Sequence, residues 1–204
     1  MKKQCTGVLL AGGKNRRLPG TKKAFLEVGG KRIIDHILAI FEELFDETII
    51  VTNDPVDFLE WDHRIVSDIS PTRCSLAGIH AGLFHARTPY IFVSACDTPF
   101  LNAGLVRHLA HAIHPPLQVV IPRTEMGLEA LCAVYAKSCI APIERNLEQG
   151  RYAIRAFFKP GRTRKIGEPE LRRHDPALHS FFNINTPEDL ALAEKMAAAR
   201  TPRP

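Results

Sequence analysis

The sequence predicts an α/β fold, an open and mostly parallel sheet wrapped by helices. Three observations predict it. Short apolar runs alternate with amphipathic helical runs along the 204 residues, the order that builds βαβ units. Some of those runs, such as YIFVSA at 90–95, are apolar at almost every position, which suits strands covered on both faces. The residues that follow the strands are glycine-rich, basic or acidic, as expected where ligands sit outside the carboxyl ends of a parallel sheet.

The elements follow in order. TGVLLA (6–11) is a short buried strand, and FLEVGGKRI reads as a short extended pair around Gly29–Gly30. Residues 33–45 place Ile34, Ile37, Leu38, Phe41 and Leu44–Phe45 at helical spacing. TIIVT (48–52) is a β-branched strand stopped by NDP, and RIVSD (64–68) is another. SLAGIHAGLFHA (75–86) is a helix softened by two glycines. After strand 90–95 comes a helix at 103–113, with Asn102 as its N-cap. LQVVIP (117–122) and ALCAVYA (130–136) are strands, and 139–150 is a helix ending at Gly150. The last helix spans 184–199, with Thr186 as N-cap, Pro187 at N1 and Asp189 closing a capping box. The length suits one domain over residues 1–204.

Composition narrows the function. No run of eighteen apolar residues is present, so no membrane span or membrane partner is expected. The basic-then-apolar start MKKQCTGVLLAGG is too short in its apolar part for a secretory signal and reads as the first strand. The five cysteines are widely spaced and form no C-x-x-C pair. That argues against a disulfide framework or zinc site and for a reducing, cytoplasmic setting.

The net charge of +5 is concentrated. Residues 1–32 hold nine Lys/Arg and one acid, and residues 151–174 hold eight Lys/Arg and two acids, on an otherwise acidic chain. Two such blocks point to a polyanionic ligand. They lack the aromatic interleaving of a nucleic-acid surface, so no nucleic-acid partner is expected and a nucleotide or phosphorylated small molecule fits better.

The loop after the first strand, AGGKNRRLPGTKKAFL, matches neither familiar phosphate loop. Gly12, Gly13 and Gly20 fail G-x-G-x-x-G, and six residues separate Gly13 from Gly20 where a Walker A loop needs four. No helix clearly follows, so backbone N–H groups with Arg and Lys heads must hold the anion. Asp97 directly follows strand 90–95 and Asp68 ends strand 64–68. Asp97 reads either as a turn former or as a Mg²⁺ ligand, since Mg²⁺ takes one or two carboxylates beside phosphate oxygens and water. Two strand-end acids beside a cationic loop form one consistent constellation.

The motifs LLAGGKNRRLPGTKKAFL, VSACDTPFL, GLEALCAVY and FFNINTPEDL, in this order from Leu10 to Leu190, resemble the molybdenum cofactor guanylyltransferase family. The resemblance implies a Rossmann-like three-layer α/β/α nucleotidyltransferase, nucleotide-binding in its N-terminal part and acceptor-binding in its C-terminal part. The implied reaction transfers GMP from GTP to the terminal phosphate of molybdenum-molybdopterin and releases pyrophosphate, with Mg²⁺ as cofactor. Other molybdenum-cofactor biosynthesis proteins or acceptor apoenzymes are the implied protein partners.

By motif, Leu10, Ala11, Gly12, Gly13, Asn53 and Asp68 would contact the nucleotide. Arg17 and Lys23 would hold the triphosphate, and Asp97 would ligate Mg²⁺. Asn183 and Asn185 would lie near the pterin. Arg151 and Arg155, in the second basic block, are candidates for the acceptor phosphate. Three positions depart from the family pattern: Pro19 for glycine, Lys22 for aspartate, and Cys74–Ser75 for Gly-Pro. They leave open which of Lys22 and Lys23 reaches the phosphates.

Alternatives remain within and outside the class. Within it, the nucleotide could be CTP, or the acceptor a sugar or alditol phosphate; related cytidylyltransferases more often carry Leu-Ala-Ala-Gly, and Gly12 favours a purine. Outside it, a non-catalytic binder of nucleotide or nucleic acid has no need for Asp68 and Asp97.

Overall fold

The computed structural model describes residues 4–12 and 22–200. Their elements run β1 (Cys5–Leu10), β2 (Glu27–Val28), β3 (Lys31–Arg32), α1 (Ile33–Leu44), β4 (Thr48–Val51), β5 (Arg64–Val66), α2 (Ser75–His85) and β6 (Tyr90–Ala95). They continue with α3 (Ala103–Ala112), β7 (Val119–Thr124), β8 (Gly127–Leu128), β9 (Cys132–Ala136), α4 (Ile140–Glu148), β10 (Thr163–Gly167), α5 (Glu168–Leu171) and α6 (Pro187–Arg200). The main sheet has the order β10-β7-β9-β6-β1-β4-β5, with β8 paired to β7. Every neighbouring pair in β6-β1-β4-β5 is parallel, as is β10-β7. The mostly parallel α/β architecture expected from the sequence is therefore present.

β9 is the exception, antiparallel to both β6 and β7. Its connection from β7 is too short for a parallel crossover, which needs a dozen or more residues. The turn between β2 and β3 places Gly29 and Gly30 at φ 61° and 76°, the backbone that a tight hairpin requires and that glycine adopts without a Cβ penalty.

Alternation along the strands sends side chains to two separate cores. Leu9, Ile50, Phe92, Val120 and Val134 pack with α1, α3 and α6 on one face. Val8, Ile49, Val93, Ile121 and Tyr135 pack with α2 and α4 on the other. These make the three layers. α1 buries Ile33, Ile34, Ile37, Leu38, Phe41 and Leu44, the stripe its periodicity predicted. Gly7 lets that helix approach: a Cβ there would lie 2.7 Å from both Phe41 and Phe45.

The caps are as expected. Asn102 Oδ1 accepts from Leu105 N–H at 3.1 Å. At α6, Thr186 Oγ1 accepts from Asp189 N–H at 3.2 Å, while Asp189 Oδ2 accepts from Asn185 N–H and Thr186 N–H, both at 2.9 Å. These backbone N–H groups hold the Asp189 carboxyl below the usual range. The helix starts at Pro187, the N1 position expected behind the Thr186 cap, and residues 184–186 form the entry turn.

The sequence reading missed β10 and α5. Only Ile166 of β10 is buried, and Arg164 and Lys165 mark it as an edge strand protected by charge. An alternating apolar pattern cannot announce such a strand. All five cysteines are free, and no described helix is long and apolar enough to cross a membrane.

Candidate active site

Because β6, β1, β4 and β5 run parallel, their carboxyl ends lie side by side, and a cleft of about 770 Å³ opens there. Leu10, Ala11 and Gly12 line it from β1, Asn53 from β4, Asp68 from β5 and Asp97 from β6. Among the described residues, a Cβ on Gly12 would meet nothing within 4 Å. Gly13 and Arg17 lie outside the described residues, as does Pro19.

The two lysines at the end of the glycine loop diverge. Lys23 Nζ donates to Asp97 Oδ2 at 2.9 Å and to Asn185 Oδ1 at 2.6 Å. Lys22 Nζ turns to the opposite flank, 2.8 Å from Asp54 Oδ2 and 2.5 Å from Asp57 Oδ2. Burial opposes the charge on Lys22, but its hydrogen bonds to the two aspartates raise its pKa on balance. The same contact lowers that of Asp54. Lys22 is thus already committed to two carboxylates, whereas Lys23 shares one carboxylate at the centre of the strand ends.

Asn53 and Asp68 are bonded in both directions. Asn53 Nδ2 donates to Asp68 Oδ2 at 2.8 Å, and Asp68 N–H donates to Asn53 Oδ1 at 3.3 Å. The pair joins the ends of β4 and β5 and presents polar atoms along one wall of the cleft. On the other side, the entry turn of α6 reaches the site because Ile184 is fully buried and its N–H donates to the Asp97 carbonyl at 2.9 Å. That docking carries Asn185 to Lys23, while Asn183 is exposed beside it. The capping role of Thr186 and Asp189 and the polar role of Asn185 therefore coexist in one turn.

Arg151 and Arg155 are exposed on the segment after α4, which is anchored by Phe157 against Tyr135 at 6.1 Å between ring centroids. Neither lines the cleft. The second basic block reaches the same sheet edge elsewhere: Arg172, with Arg123 and Thr124 from β7 and Glu168, lines a more open depression of about 760 Å³. Glu168 ties this depression together, accepting from Glu125 N–H at 2.8 Å and from Arg172 at 2.8 Å.

Sequence reasoning placed the helix at 75–86 but did not assign its start to the site. Arg73, Cys74 and Ser75 line the cleft, the N-cap Cys74 makes no side-chain cap bond, and no acid stands in the first turn. The signal was available, because a helix that follows a strand begins at that strand's carboxyl end. The opening loop itself leads only into a 3-10 turn, Lys23–Phe25, in line with its lack of a helix signature.

No histidine is among the residues lining the cleft. Burial pushes the Cys96 thiol up to about 12, and neighbouring Asp97 adds to the shift, so that thiol stays protonated and is no nucleophile. Among the described residues, no three His, Cys, Asp or Glu side chains group to hold a metal. Asp97 offers a hard oxygen donor in the cleft, a donor that suits Mg²⁺ when phosphate oxygens and water complete the shell.

Residues 7–166 match the MobA-like NTP transferase domain, and the parallel sheet with its cleft at the strand ends is that of a nucleotidyltransferase. The chain is 44% identical over 189 residues to the molybdenum cofactor guanylyltransferase of Desulfosudis oleivorans, spanning 93% of this chain and 94% of that protein. The crystal structure of molybdopterin-guanine dinucleotide biosynthesis protein A from Archaeoglobus fulgidus superposes with a TM-score of 0.83 at 30% identity, covering 95% of this chain and 99% of that one. The chain belongs to the molybdenum cofactor guanylyltransferase family.

Proposed function

We propose that this protein transfers GMP from GTP to the terminal phosphate of molybdenum-molybdopterin, with Mg²⁺, releasing pyrophosphate. The observation that carries the reading is Lys23 held between Asp97 and Asn185 at the mouth of the cleft, in a chain of this family. The N-terminal part, through β5, supplies the nucleotide wall. The C-terminal part supplies Asn183 and Asn185 and the depression lined by Arg172 to the acceptor side. Arg151 and Arg155 would meet an acceptor only on its outer edge. The reaction would take place in the cytoplasm.

The acceptor already carries a phosphate oxygen able to attack the α-phosphorus of GTP, so no activated hydroxyl, thiol or imidazole is required. What the site must do is bring two anions together and stabilise the departing pyrophosphate. Lys23 supplies a fixed positive charge for the triphosphate, and Arg17 would add a second. Asp97 would hold Mg²⁺, which when bound neutralises phosphate charge. Asn185 holds the Lys23 ammonium from the acceptor side, and Asn53 with Asp68 orients the nucleoside. Leu10, Ala11 and Gly12 admit the nucleotide to the backbone, and the glycine at position 12 favours a purine.

The test is a pyrophosphate-release assay with molybdenum-loaded molybdopterin, Mg²⁺, and GTP or CTP. Release with GTP, dependent on acceptor and metal and much slower with CTP, is the expected result. Preference for CTP, or release only with a sugar phosphate, would replace this reading.

A further inference from the structure

We propose that Lys22 is a positioning residue that aims Lys23, by fastening the chain just before it to the turn at 54–61. The inference rests on the phosphate-holding reading of Lys23 for its catalytic consequence, but the fastening itself is a property of the free protein.

Lys22 is extended, with φ −66° and ψ 138°, and the turn Lys23–Phe25 follows. The backbone changes from extended to 3-10 at Lys23, and the two lysines leave it toward different partners. Lys22 goes to Asp54 and Asp57, with its ammonium 5.6 Å from the Phe58 ring centroid. Lys23 goes the other way, to Asp97 and Asn185. Phe25 then returns to the first side, its ring 5.2 Å from Phe58 and stacked at 5.7 Å on Trp61. The residue before Lys23 and the residue two beyond it are thus fixed to one platform.

That platform is itself held. Trp61 Nε1 donates to Asp35 Oδ1 at 2.9 Å. The Arg32 guanidinium lies 4.5 Å over the Trp61 ring and grips both Glu60 oxygens at 2.8 and 2.9 Å. Asp54 also directly follows Asn53, the partner of Asp68. Lys22 therefore links the nucleoside wall of the cleft to the lysine at its phosphate end.

Magnitudes decide what this link does. The side chains of Lys22, Asp54 and Asp57 are 33%, 62% and 45% exposed, and ion pairs so exposed add little stability. A lysine side chain, by contrast, has large rotamer freedom. Small displacements of a charge in a transfer site cost rate steeply. Loss of Lys22 should therefore leave the fold intact and misplace Lys23.

Two readouts on the full chain test this in Lys22→Met, Lys22→Arg, Asp57→Asn and the double variant Lys22→Met/Asp57→Asn. The first is acetylation of Lys23 by acetic anhydride, followed by mass spectrometry without substrates. The second is kcat/KM for pyrophosphate release. Lys22→Met and Asp57→Asn should raise Lys23 acetylation severalfold and lower kcat/KM about tenfold, with unchanged Tm. Lys22→Arg should behave as wild type, and the double variant should lose no more than Lys22→Met. Unchanged Lys23 acetylation in Lys22→Met overturns the proposal, and so does a double variant whose losses multiply. A wild-type protein that releases no pyrophosphate would remove the functional reading alone, since acetylation still decides the positioning.

Discussion

Lys23 Nζ joins Asp97 and Asn185, residues 74 and 162 positions away in the sequence, within 2.9 Å and 2.6 Å. One ammonium thereby connects the end of β1's loop, the end of β6 and the entry turn of α6. Among the described residues, removing Asp97 should leave Lys23 with Asn185 and take away the one carboxylate bonded to it. Asp97→Ala should lower Mg²⁺-dependent pyrophosphate release at least about a hundredfold, while circular dichroism and Tm stay near wild type. Near-normal turnover in this variant would sink the mechanism.

Two glycines separate ligand space from core space. At Gly12 an added methyl meets no atom of the described residues, whereas at Gly7 it would press into Phe41 and Phe45 at 2.7 Å. Gly12→Ala should keep Tm and raise KM for GTP. Gly7→Ala should lose roughly 1–3 kcal/mol of stability through overpacking. Thermal melts and GTP titrations of both variants check the contrast.

Glu129, between β8 and β9, has its pKa raised by burial, an effect that the hydrogen bond from Thr124 Oγ1 at 3.0 Å only partly offsets. A carboxyl raised in the folded state favours folding most below its unfolded pKa, and that contribution is lost as pH rises through the folded value. Glu129→Gln, which keeps an acceptor for Thr124, should therefore raise Tm at pH 7 and have little effect at pH 4. An equal shift at both pH values would show that desolvated charge is not the cause.

Asp189 holds the turn that delivers Asn185. Its lowered pKa means that its contribution is present above the ordinary carboxylate range and is lost as pH falls through the folded value. Asp189→Ala should free the Asn185 and Thr186 N–H groups, lower Tm by a few degrees at neutral pH and reduce kcat. Asp189→Asn should recover part of both. An Asp189→Ala variant with wild-type kcat would separate the cap from the site.

Much of this arrangement was legible before any coordinates. The apolar run 90–95 returned as β6 at the same bounds, because a strand buried on both faces reads as a near-continuous apolar run. The stripe of α1 and the caps at Asn102 and Thr186 were readable for the same reason, since short-range periodicity and side-chain-to-backbone bonds are local chemistry. Strand-end logic was sufficient to place Asp68 and Asp97 at one edge. The direction of β9 was not read from the sequence, although its seven-residue connection from β7 admits no crossover.

Tertiary structure alone decided what local pattern cannot encode. It sent Lys22 and Lys23 to opposite flanks, a choice set by where the ends of β4 and β6 stand relative to β1. It carried Asn185 to Lys23 through the burial of Ile184, and left Arg151 and Arg155 away from the cleft on the segment anchored by Phe157. It made a strand of Thr163–Gly167, whose charged sequence pairs only because β7 offers it an edge. By itself the sequence determined the layers, the strand ends and the kinds of charge at them. The partners of each charge depend on the strand order across the sheet, and that order is set by packing between segments distant along the chain.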